Sequence, residues 1–428
     1  MHLFSKIIKY LDSPAVKHIG IYTITNFLTR ASSFLLLFVF TNPKYISPSE
    51  NGLLSIFNNS ILLILPVIQL GIIHSSGADF FKFEKQKFVD SFVSGFYLSF
   101  FVALSTFLFI PFFHDEIKSV FGLPDVVIYI IPAVAFFIFC IEQMLTIARN
   151  NNDPVVFLKA NLFRLIIDLG LSVLLVVVFS YRWQGRVAGF FIANMFTAVF
   201  AFIYFLRKGY LKGSIKKEYL KSELIYSLPI IALQYSFFAL YSSDKYFISY
   251  FQGSGSSVVG VYSIASIFAS VIFAFRAAII QYLTPKIYVA LANSEPDYKS
   301  LKTLFRFLFV SMGSITLLLI VFTPLVYHFY INKEYHSGLD YFYLLCLGYF
   351  IWSLTSFLNS FLIFRKEKKK ILLMSLLAII VSLAGNYYFI REYGAFGGGV
   401  SVFFSFLLVF IVSIVLVFKD ITRMLSGK

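Results

Sequence analysis

Apolar runs of spanning length recur about a dozen times along this chain, and Lys and Arg crowd into every second connection between them. Runs of about 20 or more apolar residues are long enough to cross a bilayer as helices, and too long for the alternating ten-residue strands of a membrane barrel. At that length only a helix satisfies its own backbone, as lipid requires. The runs fall near residues 18–41, 51–74, 90–113, 124–147, 156–180, 186–206, 226–251, 258–283, 304–331, 340–364, 371–390 and 395–418. With 59% hydrophobic and only 13% charged residues, the chain has too little polar surface to cover itself in water. The fold class read from this pattern is an all-α polytopic membrane protein with about twelve transmembrane helices.

The basic residues orient it. One set of helix ends carries 26 Lys and Arg, in groups such as Lys82, Lys85 and Lys87, Arg207 to Lys221, and Arg365 to Lys370; the opposite loops carry only six, Lys44, Lys118, Arg182, Arg186, Lys333 and Arg391. The positive-inside rule then predicts cytoplasmic termini. It also explains the net charge of +15 without nucleic acid, because these residues are spread over short loops instead of gathered on a folded surface. No short apolar region followed by a small-residue cleavage site opens the chain, so the first span is expected to be retained.

Chemistry of the enzymatic kind has no place to sit. The longest hydrophilic stretch runs from about Arg207 to Lys221, and no outer loop exceeds about a dozen residues. There is no nucleotide-binding glycine loop, no HExxH and no His/Cys cluster, and Cys140 and Cys346 both fall inside predicted spans as packing residues. No catalytic residue, cofactor or metal is expected.

The two halves look like copies. GLLSIF at Gly52 and GVYSIA at Gly260 share Gly, Ser and Ile at an offset of 208; Gly185 and Gly189 in WQGRVAGFF match Gly394 and Gly398 in YGAFGGGVS at 209. Six spans per half is an even number, so the repeat is parallel, about an axis along the membrane normal. The expected organisation is an N-terminal six-helix bundle over 1–210, a cytoplasmic linker over 211–225 and a C-terminal six-helix bundle over 226–428, with a central cleft between the bundles. Since one chain then holds both halves of a pathway, a monomer is expected.

The stretches SPSENGLLSIF, ELIYSLPIIALQYSFFALYSSDKYFISYF and VVGVYSIASIFASVIFAFRAAIIQYLTPKIY resemble the polysaccharide-export, O-antigen flippase branch of the multidrug, oligosaccharidyl-lipid and polysaccharide flippase superfamily. The specific part of the resemblance runs from about Glu223 to Tyr288. It implies a two-bundle transporter in the bacterial inner membrane that alternates its cavity between the two faces. The implied cargo is an undecaprenyl-pyrophosphate-linked oligosaccharide, moved outward for O-antigen, lipopolysaccharide, capsule or exopolysaccharide assembly, with other polysaccharide-assembly membrane proteins as further partners.

Charges inside the spans are the candidate site. Arg30 lies about 12 residues into the first span, roughly 18 Å deep at a helical rise, too deep to snorkel. Either it contacts an anionic cargo through its forked guanidinium, or its own bundle holds it. Asp244 and Lys245 stand in the outer part of the seventh span; as helix neighbours they are expected to point about 100° apart and to meet different partners. Asp244 is a candidate ion-coupling acid or one member of a structural pair, and Lys245 a candidate cargo contact that is also free to snorkel outward. Arg276, in the eighth span, is a candidate inlet-side contact for a diphosphate. Arg164 and Asp168 stand four apart on one helical face, and an intrahelical pair is the simplest reading, with Asp168 a second candidate for ion coupling. Pro229, early in the seventh span, is a candidate hinge.

Three functions compete. A lipid-linked oligosaccharide flippase wants more cations than acids around its cargo, and Arg30, Arg164, Lys245 and Arg276 outnumber Asp168 and Asp244. An ion-coupled multidrug or organic-cation exporter of the same superfamily would want acids there. A membrane-embedded polysaccharide polymerase is disfavoured by the missing large outer loop.

Overall fold

Serines and glycines, not prolines, break the spans in the computed structural model, which describes residues 36–426 apart from 254 and 293–295, and only the backbone of 226–229 and 425. The described residues are helical throughout, with no strand. In order they form α1 (Pro48–Gln69), α2 (Ile72–Lys82), α3 (Lys85–Phe109), α4 (His114–Phe121), α5 (Asp125–Asn150), α6 (Pro154–Val173), α7 (Arg182–Lys208), α8 (Lys217–Tyr241), α9 (Ser243–Gln252), α10 (Ser257–Ala269), α11 (Val271–Ala292), α12 (Tyr298–Tyr330), α13 (Gly338–Phe364), α14 (Lys368–Leu416) and α15 (Phe418–Ser426). Joined where consecutive helices continue one another, they give ten stretches among the described residues long and apolar enough to cross a membrane.

The predicted spans map onto these helices, with physical reasons for each departure. The first, 18–41, lies mostly outside the described residues. The last two merge into α14, whose 49 residues contain the non-helical Gly394, at φ 59° and ψ −144°, between the segments predicted separately. Gly397 follows it for a different reason: a Cβ there would stand 1.9 Å from the Phe389 carbonyl oxygen. The second span stops at Leu70 and Gly71, both at positive φ, before α2 begins. The seventh divides at Ser242 and the eighth at Ser270. Helix α8 runs through position 229 and ends at Tyr241, so the break in the seventh span falls thirteen residues after the predicted hinge Pro229.

Starts are set by local chemistry. Asp153 accepts from the Val156 N–H at 3.1 Å and is followed by Pro154, whose missing N–H costs nothing in a first turn. Ser256 caps α10 and Asp297 caps α12 in the same way.

Two compact units emerge. The first contains residues 57–119 and 123–231; the second contains 47–56, 120–122 and 232–428. In the first, α5 packs against α2, α3 and α7, and α6 lies along α7. Gly185 and Gly189 permit that last approach: a Cβ at Gly189 would stand 2.6 Å from the Ser172 hydroxyl. The predicted linker is fastened to the start of α3. Asp90 accepts from the Ser214 N–H at 2.9 Å and pairs with Lys216 Nζ at 2.6 Å, while the Lys216 N–H donates to Ser94 at 3.0 Å. In the second unit, α13 and α14 form the centre, with α9 against α14, α10 against α13, and α12 toward the periphery. Large aromatic side chains such as Phe112, Tyr250 and Phe329 face outward, as expected when lipid is the solvent.

The first part of α1 belongs to the second unit, and there the two repeat blocks meet. Gly52 lies against Gly260, where a Cβ on Gly260 would come 1.8 Å from the Pro48 carbonyl oxygen. Three residues on, Ser263 donates to Ser55 at 2.6 Å. Positions matched in sequence thus touch one another.

Candidate functional site

Each unit encloses a charge cluster that assigns the sequence-predicted residues to partners. In the second unit the cluster grows from the break at Ser242, whose φ of −130° ends α8. Asp244 falls in the first turn of α9, where unpaired N–H groups favour a carboxylate. It is 1% exposed and Lys245 5%. Tyr262 donates its hydroxyl to Asp244 Oδ2 at 2.6 Å; Lys245 Nζ lies 3.3 Å from Oδ1, and the Lys245 N–H donates to the same oxygen at 2.9 Å. Lys245 Nζ also donates to the Tyr241 carbonyl at 3.2 Å, with the rings of Tyr241 and Tyr262 5.4 and 5.7 Å away.

This corrects two expectations. Asp244 and Lys245 do meet each other, because the break lets the lysine side chain fold back toward the end of α8 instead of radiating from a continuous helix. For the same reason Lys245 does not snorkel. Beside the pair, Ser243 and Ser382 both donate to the Ala239 carbonyl, at 2.5 and 2.6 Å, and Asn386 Nδ2 donates to Ser243 at 2.8 Å. Side chains thus occupy carbonyls near the break, which lipid would leave unsatisfied. The Ser242 hydroxyl and Asn386 Oδ1 remain buried without a hydrogen-bond partner among the described residues.

In the first unit Asp168, on α6, is bonded by Arg186 of α7, which also donates to Ser172 at 2.7 Å. The Arg186 guanidinium lies 5.4 Å from the Phe190 ring and 5.7 Å from that of Phe40. The expected intrahelical pair of Arg164 with Asp168 is therefore not formed. Arg164 has no ion pair among the described residues; its guanidinium stands 6.0 Å over Phe190, with Glu142 the leading favourable charge near it. The charge pattern puts Arg186 in an outer loop, yet the sequence carries a hairpin signal: residues 168 and 186 stand equally far from 177, so antiparallel spans joined there bring them level.

Arg276, half-buried on α11, donates from Nη1 to Ser356 of α13 at 2.8 Å and lies 5.6 Å from the Phe273 ring. Arg30 lies outside the described residues, and Pro229 is described only through its backbone. Asn386 is a residue that sequence reasoning passes over, and for Tyr262 and Arg186 it misses the carboxylate partner: sequence offers Tyr262 only as a surface for sugar stacking and Arg186 only as a loop charge. Tyr262 stood inside the GVYSIA block, but a lone tyrosine among 27 gives no sign of a carboxylate partner.

No protein-family model matches the chain, and no curated protein matches it in sequence. Solved structures do match in fold. The lipid II flippase MurJ, in an inward closed conformation, superposes with a TM-score of 0.72 at 17% identity, covering 95% of this chain and 90% of that one. An inward-facing multidrug resistance MATE family transporter of the MOP superfamily gives 0.71 at 14% identity, covering 91% and 94%. A MATE protein in complex with MaD3S gives 0.58 at 15% identity over 96% of both chains. The chain therefore has the two-bundle, all-helical membrane fold of these proteins.

Proposed function

We propose that the chain is a flippase that moves a polyprenyl-diphosphate-linked oligosaccharide from the cytoplasmic to the outer leaflet by alternating access. The fold it shares with a lipid II flippase and with multidrug transporters supports a transporter of this kind. One observation favours an anionic cargo over a cationic one. Both aspartates that a cationic drug would need are already bonded to cations, Asp168 to Arg186 and Asp244 to Lys245, while Arg164 has no acid bonded to it among the described residues. An unbonded cation inside a span is costly unless a wet cavity or an anion meets it.

In this reading Arg276, Lys245 and Arg30 contact the diphosphate, and the prenyl tail stays in lipid. If Asp244 or Asp168 couples transport to an ion, that ion has to displace the Lys245 ammonium or the Arg186 guanidinium, so coupling and cargo release share the same groups. The bundles over 1–210 and 226–428, joined by the linker over 211–225, are the proposed moving parts, in the bacterial inner membrane with both termini cytoplasmic.

The test is a strain lacking the gene. Undecaprenyl-linked oligosaccharides should accumulate on the cytoplasmic leaflet while surface polysaccharide falls, and the intact gene should reverse both, whereas Arg276→Ala at equal membrane abundance should not. Unchanged glycolipid with new sensitivity to cationic drugs would instead establish the exporter.

A further inference from the structure

A cavity of about 560 Å³ opens in the second unit between the C-terminal turns of α11 and the first turns of α12. None of its lining residues is given a transport role, although Arg276 stands on the same helix, nine residues before Pro285. Pro285, Lys286, Val289 and Ala290 line one wall; Asp297, Lys299, Ser300, Thr303 and Leu304 line the other.

The wall chemistry is divided. Lys286 and Lys299 supply two ammonium groups, and neither is ion-paired among the described residues. Lys286 bonds the Tyr282 hydroxyl and lies 3.8 Å from the centre of that ring, which orients its ammonium. The acid in the cavity is already engaged: Asp297 accepts from the Ser300 N–H at 2.9 Å and from the Ser300 hydroxyl at 2.6 Å, and these bonds hold its carboxyl below the usual range. The two hydroxyls have also committed their protons, Ser300 to Asp297 and Thr303 to the Lys299 carbonyl at 3.0 Å. What remains to meet a ligand is positive charge beside an apolar strip of Pro285, Val289, Ala290 and Leu304, in which Val289 is 68% exposed.

We propose that this cavity binds the phosphate head group of an anionic membrane phospholipid, with Lys286 and Lys299 on the phosphate and an acyl chain along Val289 and Leu304. A free inorganic phosphate would leave the apolar strip uncovered, which is why the lipid is favoured. Because no hydroxyl proton is available for stereospecific reading, selection is by charge: phosphatidylglycerol and cardiolipin are accepted alike, and zwitterionic phosphatidylcholine is not. The location agrees with the side that the basic loops predict to be cytoplasmic, where anionic head groups attract such lysines.

The test uses the purified full-length chain in phosphatidylcholine nanodiscs with a minor fraction of phosphatidylglycerol, and counts retained phosphatidylglycerol by native mass spectrometry. Lys286→Ala and Lys299→Ala should each weaken retention about fivefold, and the double variant about thirtyfold. Lys286→Arg with Lys299→Arg should retain the lipid, which separates loss of charge from loss of fold. Lys208→Ala with Lys212→Ala removes the same charge from the first unit and should leave retention unchanged. Equal loss in that control, or full retention in the double alanine variant, overturns the proposal. So does a result in which inorganic phosphate binds the purified protein through these lysines while phosphatidylglycerol is not retained.

Discussion

Lys245 is a buried cation whose ammonium reaches back across a break in a helix to the Tyr241 carbonyl. Its ammonium meets Asp244, the Tyr241 carbonyl and two tyrosine faces within a site that is almost closed to solvent. Removing one member of such a pair strands the other, at about 3–5 kcal/mol, whereas removing both charges together is often nearly neutral. Lys245→Met should therefore lower the thermal midpoint in detergent strongly, and Asp244→Asn combined with Lys245→Met should recover most of the loss. A single variant as stable as the parent would mean that the ammonium is not bonded as described. The cycle also bears on coupling: if the double variant is stable but no longer transports, the pair serves movement and not folding. Sequence alone could not show this pair. The 100° rule for neighbouring residues holds within a continuous helix, and nothing in the string FALYSSDKY marks where continuity ends.

At the scale of elements, the spans were legible because lipid leaves so few alternatives: a run of about 20 apolar residues that must satisfy its backbone becomes a helix. The breaks at Ser242 and Ser270 were not: Ser243 and Ser382 satisfy the Ala239 carbonyl at the first and the Ser270 hydroxyl the Ile267 carbonyl at the second, so no proline or glycine is needed to announce the interruption. Pro66, Pro132, Pro285 and Pro324, in contrast, all lie inside assigned helices. Repeat glycines proved more informative than prolines. At Gly260 the backbone of α10 approaches that of α1 so closely that a methyl group would stand 1.8 Å from the Pro48 oxygen, and backbone cannot swing aside as a flexible side chain can. Gly260→Ala should cost at least about 1–3 kcal/mol. Ser263→Ala, which removes the hydroxyl bonded to Ser55 and to the Val259 carbonyl, should cost about 0.5–1.5 kcal/mol. Thermal midpoints of the two variants in one detergent test the ranking; if Gly260→Ala were the milder, the blocks would not be in contact.

For the whole molecule, orientation rests on charge and not on packing. Helices of equal hydropathy can enter a bilayer from either side, and it is the 26-to-6 distribution of Lys and Arg that selects one. The chain offers a clean way to read it, since its two cysteines, Cys140 and Cys346, are both buried and free. A cysteine introduced singly in a loop is then the reactive thiol seen by a membrane-impermeant maleimide. In intact cells Lys118→Cys and Lys333→Cys should be labelled, because the charge bias assigns both loops to the outside, whereas Lys212→Cys and Lys368→Cys should react only after the membrane is opened. The reverse pattern would invert the direction of transport, and labelling of all four from outside would mean that the basic loops do not anchor the orientation. Lys212 is the most demanding of these positions. It lies in the segment that Asp90 fastens to α3 through Ser214 and Lys216, so its sidedness fixes that of the fastened linker and of the start of α3 together.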